Sequence, residues 1–137
     1  MMLSVSMRAD ASERLVGTPE ARQLTDSIMS KIAAGDAEAG LRLAKPYLII
    51  PDAEFKEMVS QTNLQMPKLG QRFGKSVGYE FIREDKVGTS FYRIIQVQRF
   101  EKHITRGTFY FYKTPTGWVL NTFNFDDKIQ LLFDAGG

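Results

Sequence analysis

The sequence predicts an α+β domain, in which three N-terminal helices pack on a curved, four-stranded antiparallel sheet to give a cone-shaped molecule. Apolar residues recur at spacings of three and four up to residue 73, as in amphipathic helices. From residue 76 the pattern changes to alternation with a period of two, in four segments separated by short turn sequences. Twelve of the 16 aromatic residues lie between Tyr79 and Phe125, within these segments. Short connections favour an antiparallel meander, so the helices and the sheet form two layers.

The composition is that of a single globular domain. The chain has 137 residues, of which 43% are hydrophobic and 25% are charged, and this length can bury one core. It contains no cysteine, which excludes disulfides, thiol nucleophiles and thiolate metal sites. Because His103 is the only histidine, the sequence predicts no metal site and no cofactor. The net charge of +2 does not by itself indicate a partner.

Residues 1–17 are predicted to be either the remnant of an export leader or a disordered start. The small residues of ADA at positions 9–11 suit a leader cleavage site, but the apolar run before them is short and Arg8 follows it. Residues 18–137 are predicted to form one undivided domain. The location is left open between periplasmic or secreted and cytoplasmic. No apolar run approaches the ~20 residues that a membrane span needs.

Two of the three helices are indicated before residue 46. Thr18 is the expected N-cap of the first helix, Pro19 suits the first helical position, and Gly35 ends the helix. Asp36 is expected to cap a short second helix, which ends before the proline at position 46 because the residue preceding a proline disfavours helical angles. The apolar face of the first helix consists of Leu24, Ile28 and Ile32.

The third helix carries a long apolar stripe, which predicts that it packs on the sheet. Asp52 is its expected cap. Pro67 is expected to kink or split it, because proline has no amide hydrogen to donate. The stripe consists of Phe55, Met58, Val59, Thr62, Met66, Leu69 and Phe73.

The turn TPTG at residues 114–117 determines the expected register of the last hairpin. Pro115 and Gly117 suit a type I turn with a glycine bulge, which would pair Thr114 with Trp118 and position 109 with position 123. The face toward the helices would then carry Phe109, Phe111, Asn121 and Phe123. The outer face would carry Tyr110, Tyr112, Trp118 and Leu120. A slip of one residue would exchange the two faces.

The order of these elements resembles the nuclear transport factor two-like, or cystatin-like, cone fold. The resemblance is carried by AAGD leading into a short helix, LGQRFGK near the end of a longer helix, and a last strand that begins TPTGWVLNTFNF, and it covers about residues 18–127. The chain is also similar to small bacterial domains of unknown function in that superfamily. The resemblance implies a conical pocket between helices and sheet, used by some members for isomerisation or dehydration and by others for protein contacts.

The function expected from these features is non-catalytic binding of a small ligand or of a protein. The alternative is a small-molecule isomerase or hydro-lyase that uses the cone pocket. Such enzymes need a carboxylate base opposite a hydrogen-bond donor, or a histidine that carries the proton. His103 is expected to be a solvated turn residue and Glu80 a surface carboxylate, so no catalytic residue is assigned. Nucleic-acid binding is not expected, because the basic residues between positions 72 and 113 keep to no single strand face.

Two sites are predicted on the sheet. A small apolar ligand is expected in the mouth of the cone, with polar contacts from Gln96 and Asn121, although Gln96 and Gln98 alternatively form a polar stripe on the exposed side of their strand. The ligand-binding residues are predicted as Tyr92, Gln96, Phe109, Phe111, Asn121 and Phe123. A homodimer is predicted through the outer sheet face, with Arg93, Ile95, Val97, Tyr110, Tyr112, Trp118 and Leu120. In the competing interpretation, this face is covered by Ile129, Leu131, Leu132 and Phe133.

Overall fold

A computed structural model describes residues 11–133 and confirms the predicted fold class. Three helices pack with one four-stranded antiparallel sheet, whose strand order is β1-β2-β3-β4. The helices are α1 (Thr18–Ala33), α2 (Ala37–Ala44) and α3 (Asp52–Phe73). The strands are β1 (Ser76–Val87), β2 (Phe91–Phe100), β3 (Ile104–Thr114) and β4 (Gly117–Asp126). Short 3₁₀ turns follow α2 at Lys45–Tyr47 and β4 at Ile129–Leu132.

The N-cap of α2 is the residue predicted from the sequence, whereas the N-caps of α1 and α3 each lie one residue before the predicted one. The side chain of Asp36 accepts a hydrogen bond from the Ala39 amide at 3.1 Å, as predicted. The N-cap of α1 is Gly17 rather than Thr18, without a side-chain cap bond. The N-cap of α3 is the residue before Asp52, so this aspartate lies in the first turn, where its charge still suits the helix dipole.

Pro67 does not split α3, which runs unbroken from residue 52 to residue 73. A proline inside a helix removes the hydrogen bond to the carbonyl four residues earlier. Here that carbonyl belongs to Asn63, and both residues are exposed. Water can therefore replace the missing donor, and the helix continues.

The predicted register of the last hairpin is wrong next to its turn and right farther along. Thr114 pairs with Gly117 instead of Trp118, because the loop contains only two residues. A bulge at Asn121, between the Tyr110 and Phe111 pairs, then restores the expected pairing of positions 109 and 123. The residues of β4 between the turn and the bulge, Trp118 to Leu120, are consequently on the opposite face from the one predicted.

The core lies between the inner face of the sheet and the helices. Phe109 and Phe111 are buried there, as expected from the register. Trp118 and Leu120 were predicted on the outer face, but they are buried in this same core. The helices contribute Ala21, Ile28, Met29, Ile32, Leu41 and Phe55.

The segment before α1 is packed against the free edge of β4. Leu15 and Trp118 exchange two backbone hydrogen bonds of 2.9 Å, and Ala11 and Leu15 are buried. Gly117 permits this approach, because a Cβ atom there would lie 2.8 Å from Arg14 Cβ and its φ is +139°. The packed chain thus begins before residue 18, within the segment predicted as a leader remnant or disordered start, and the first ten residues lie outside the described part.

The chain returns across the outer face of the sheet after β4. Arg83 lies on this face, since it pairs with Ile95, and its Nη1 donates to the Leu132 carbonyl at 3.1 Å. Leu132 is half-buried, and Ile95 and Val97 of the outer face are buried. The C-terminal segment therefore contacts this face, but Ile129 and Phe133 are exposed, so the four residues of the competing interpretation do not cover the face together.

The opposite edge of the sheet, along β1, is irregular. The register with β2 shifts twice, between Ser76 and Gly78 and again between Phe81 and Arg83. Each shift leaves one residue of β1 without a partner and increases the local twist.

Two helical glycines are expected to respond oppositely to alanine. A Cβ atom at Gly40 would lie 2.9 Å from the Ile28 carbonyl oxygen and 2.9 Å from Ile32 Cγ1, so Gly40→Ala should destabilise the fold by about 1–3 kcal/mol. A Cβ atom at Gly70 would meet nothing within 4 Å, and Gly70→Ala should stabilise by about 0.5–1 kcal/mol. Urea denaturation measures both values. A stable Gly40→Ala variant would show that α1 and α2 do not pack this closely.

Candidate functional site

A cavity of about 480 Å³ lies between α3 and the inner face of the sheet, toward the end of β4. Its wall is mostly apolar and includes Leu41, Met58, Met66, Leu69, Phe123 and Phe125. Polar side chains are placed at its base and at its mouth. This is the combination expected of a small-molecule site, in which apolar walls supply affinity and a few polar groups supply orientation.

The cavity exists because α3 is anchored at its two ends and not along its middle. Near its start, Phe55 and Val59 are buried in the core. At its end, the Phe73 ring packs edge-to-face on Phe100 and His103, with ring centres 5.7 and 4.7 Å apart. The apolar residues between these anchors, such as Met66 and Leu69, are only half-buried and line the cavity.

The base of the cavity is formed by Gln98 and Thr105, which are paired on neighbouring strands. Gln98 Nε2 donates to Ser76 Oγ at 3.0 Å and to the Ile32 carbonyl at 3.4 Å. Thr105 Oγ1 donates to Gln98 Oε1 at 3.5 Å. Both side chains are buried, so the site holds fixed polar atoms in an apolar setting, where hydrogen bonds are strong.

Two aspartates line the mouth of the cavity, Asp126 and Asp127. The Asp126 carboxylate lies on the outer face of the sheet, because Asp126 pairs with Arg106 and Arg106 pairs with Val97 of that face. There Arg106 binds it at 3.1 and 2.7 Å. Partial burial alone would raise the pKa of Asp126, but the hydrogen bonds from Arg106 and from the Lys128 amide outweigh burial and lower this pKa below its ordinary value. Asp126 is therefore ionised at neutral pH.

The predicted ligand-binding residues are not brought together. Phe123 lines the cavity, but Phe109 is packed in the core and Asn121 is exposed at the bulge. Gln96 is fully buried on the inner face and donates to Thr25 Oγ1 and to Asp26 Oδ1, both at 2.9 Å. Gln96 is thus occupied by α1, and neither Gln96 nor Gln98 belongs to an exposed polar stripe.

A second concave surface, here called the outer groove, lies on the outer face near the hairpin turns and encloses about 700 Å³. Its apolar side chains include Val87, Phe91, Tyr110 and Tyr112. Of the residues predicted to share the ligand site with Phe123, Asn121 borders this groove. The side chains of Tyr92 and Phe111 are instead buried in the core on the inner face.

The residues predicted for a dimer interface fall into three groups. Tyr110, Tyr112 and Arg93 border the outer groove, and Arg93 forms an ion pair with Asp85 at 2.6 Å. Ile95 and Val97 are on the outer face but are buried in the single chain. Trp118 and Leu120 are wrong as interface residues, since the two-residue turn directs them into the core.

The described residues do not form the arrangement expected of an isomerase-like enzyme in the cavity. The Tyr92 hydroxyl donates to the Glu84 carboxylate, and burial followed by this bond raises the pKa of Tyr92. However, Glu84 is exposed, and Tyr92 is packed in the core against Phe111 and Trp118 and does not line the cavity. Glu80 is exposed, as expected. His103 is half-buried, and its Nε2 donates to the Asp127 carbonyl at 3.1 Å.

Sequence reasoning did not identify Thr105, Met66 or Leu69 as site residues. The helical stripe that contains Met66 and Leu69 has the same period whether its residues face a core or a cavity. Thr105 follows the turn after β2, and its pairing with Gln98 was the one signal available, since two polar residues meet on a face that is otherwise apolar.

Within residues 11–133 the structure contains no group of three or more histidine, aspartate or glutamate side chains that could hold a metal ion. No helix in this part is long and apolar enough to cross a membrane. Comparisons with protein-family models, curated proteins and solved structures each give no match for this chain.

The ion pair between Arg106 and Asp126 is expected to make stability depend on pH. Because the folded pKa of Asp126 lies below 3.8, the stabilisation is present above that pH and is lost as the pH falls through the folded pKa. Urea midpoints of the native protein and of Asp126→Asn should therefore differ at pH 7 and converge as the pH falls below 3.8 and through the folded pKa. Asp127→Asn, which removes an exposed carboxylate, is the control. A difference that persists unchanged to the lowest pH would contradict this assignment.

Proposed function

We propose that this protein is a non-catalytic binding domain of the nuclear transport factor two-like type, and that it holds a small apolar ligand between α3 and the sheet. The observation that carries the proposal is the cavity of about 480 Å³ beneath the middle of α3. Its volume falls within the range of roughly 300–1,000 Å³ that is common for small-molecule sites. Protein interiors are otherwise close-packed, so an apolar gap of this size favours an occupant.

The wall of the cavity also suits binding. Met58 and Met66 are half-buried at its side, and methionine side chains adapt their shape to a ligand at little cost. Phe123 contributes a ring that stacks on Phe109 with centres 5.9 Å apart, so one wall is rigid. A rigid wall and an adaptable wall together accommodate apolar molecules of varied shape.

Binding is favoured over the alternative of an isomerase or hydro-lyase. Those reactions need a proton carrier that faces the substrate and a donor opposite it. Among the described residues that line the cavity, the ionisable side chains are Asp126 and Asp127 at the mouth, and Asp126 is engaged by Arg106. A base in an ion pair with a lowered pKa is a weak proton acceptor, which disfavours proton abstraction at this site.

Blocking the cavity is expected to abolish binding of a neutral apolar probe. Leu69→Trp places a larger side chain in the cavity, and the dissociation constant of Nile red, measured by fluorescence titration, should rise at least about tenfold, the scale of lost apolar contacts. Leu64→Trp is the matched control on the same helix, since Leu64 is 60% exposed and lies outside the cavity. If both variants bind Nile red equally well, the probe binds outside the cavity and the proposal is refuted.

We further propose that two copies of the chain associate through the outer groove. Phe91 and Tyr112 stack there with ring centres 5.4 Å apart, although Phe91 is 54% exposed and Tyr112 is 39% exposed. Exposed clusters of this kind are typical of interface cores, in which aromatic residues are enriched. Arg93 and Asp85 neutralise each other beside them, so that a twofold contact would not bring like charges together.

Sedimentation equilibrium tests this association. The native protein should be a dimer at micromolar concentration, and Tyr112→Glu should be monomeric, because a twofold axis brings the two new carboxylates into one apolar contact. Tyr79→Glu is the matched control: Tyr79 is 37% exposed, and it pairs with Gln98, so it lies on the inner face. A native protein that remains monomeric would refute the dimer.

A further inference from the structure

We infer that the ligand of the cavity is an uncharged, largely apolar alcohol that presents its hydroxyl group to Gln98 and Thr105. This inference rests on the proposed binding function and adds the chemical class of the ligand. Two features of the site support it: the hydrogen-bonding atoms at the base of the cavity, and the sign of the charge at its mouth.

The amide of Gln98 is held in one orientation. The Ile32 carbonyl can only accept a hydrogen bond, so the amide nitrogen must face it, at 3.4 Å. The same nitrogen donates to Ser76 Oγ at 3.0 Å. Both amide hydrogens of Gln98 are thereby engaged. Its Oε1 consequently faces Thr105 and is the atom of this side chain left to bind a ligand.

Thr105 adds a second acceptor. Its hydroxyl has a single proton, which is donated to Gln98 Oε1 at 3.5 Å, and this leaves two lone pairs for another partner. Both side chains border the cavity and are buried. The base therefore offers acceptor lone pairs beyond the hydrogen bond that Gln98 and Thr105 already share. A ligand hydroxyl can donate to them, whereas an ether or an ester oxygen cannot.

The charge at the mouth selects against ionised ligands. Of the described residues that line the cavity, only Asp126 and Asp127 are charged, and the Asp126 carboxylate is held by Arg106 on the outer face. No cationic residue lines the cavity in this part of the chain. A carboxylate ligand would meet negative charge without a free cation. An ammonium group would lose its hydration at a base that has no carboxylate, which is costly. An uncharged polar group meets neither penalty.

Isothermal titration calorimetry with three probes of equal chain length tests the inference: 1-decanol, decyl methyl ether and decanoate at pH 7. Decanol should bind about tenfold or more tightly than either of the others, as expected when a buried hydrogen bond is lost. Thr105→Val should reduce the preference for decanol over the ether severalfold. Thr108→Val is the control, because Thr108 is a buried threonine of the same strand on the opposite face.

The outcomes separate this inference from the proposed function. Decanoate or the ether binding as tightly as decanol would overturn the ligand class and leave the binding function intact. If Thr105→Val keeps the same preference for decanol over the ether, the ligand hydroxyl does not lie at Thr105, and this part of the inference is refuted. Binding of Nile red but of none of the three probes would also refute the alcohol, whereas failure of all four would refute the binding function. The comparison of probes on the native protein does not depend on the folding of a variant.

Discussion

Two buried glutamines on the inner face of β2 hold α1 against the sheet, and the other helices are positioned from there. Gln96 Nε2 donates to Thr25 Oγ1 and to Asp26 Oδ1, both at 2.9 Å. Gln98 Nε2 donates to the Ile32 carbonyl, which lies farther along α1. Removing either amide would take away buried hydrogen bonds to α1, each with a net worth of about 0.5–1.5 kcal/mol. These bonds also fix the rotation of α1 about its axis, which apolar contacts alone define less sharply. The buried Oε1 atom of Gln96 has no hydrogen-bond partner among the described residues. Holding α1 in this way therefore leaves one polar atom unsatisfied, which costs free energy.

The position of α1 decides where space is left under α3. α2 packs on α1 at Gly40, where the two helices approach so closely that a Cβ atom would not fit without a shift. α3 then spans from the core residue Phe55 to the aromatic contacts of Phe73. Between these anchors the apolar residues of α3 are only half-buried, and the cavity lies there between the helix and the sheet. Its base includes the same Gln98 that holds α1.

The fold class could be predicted from the sequence, because helical and alternating periods occupy separate halves of the chain. The N-caps of α1 and α3 differ by one residue from prediction, which is expected where glycine and proline neighbours can take the same role. The register of the last hairpin could not be derived, since TPTG is compatible with two loop lengths and the bulge at Asn121 has no distinctive residue. As a result Trp118 and Leu120 were assigned to the wrong face. The site was missed for a related reason: periodicity indicates which residues of α3 are turned inward, but not how far the opposing strand lies from them.

The two edges of the sheet differ in a way that bears on how the protein behaves at high concentration. The edge of β4 is occupied by Leu15 and Leu48, which bridge to Trp118 and Leu120. The edge of β1 has no strand beside it within the described residues, but its register is interrupted twice. A straight row of unpaired backbone groups is the template on which sheets of different molecules join. Neither edge provides such a row over its full length, and an interrupted edge disfavours the joining of sheets from different molecules.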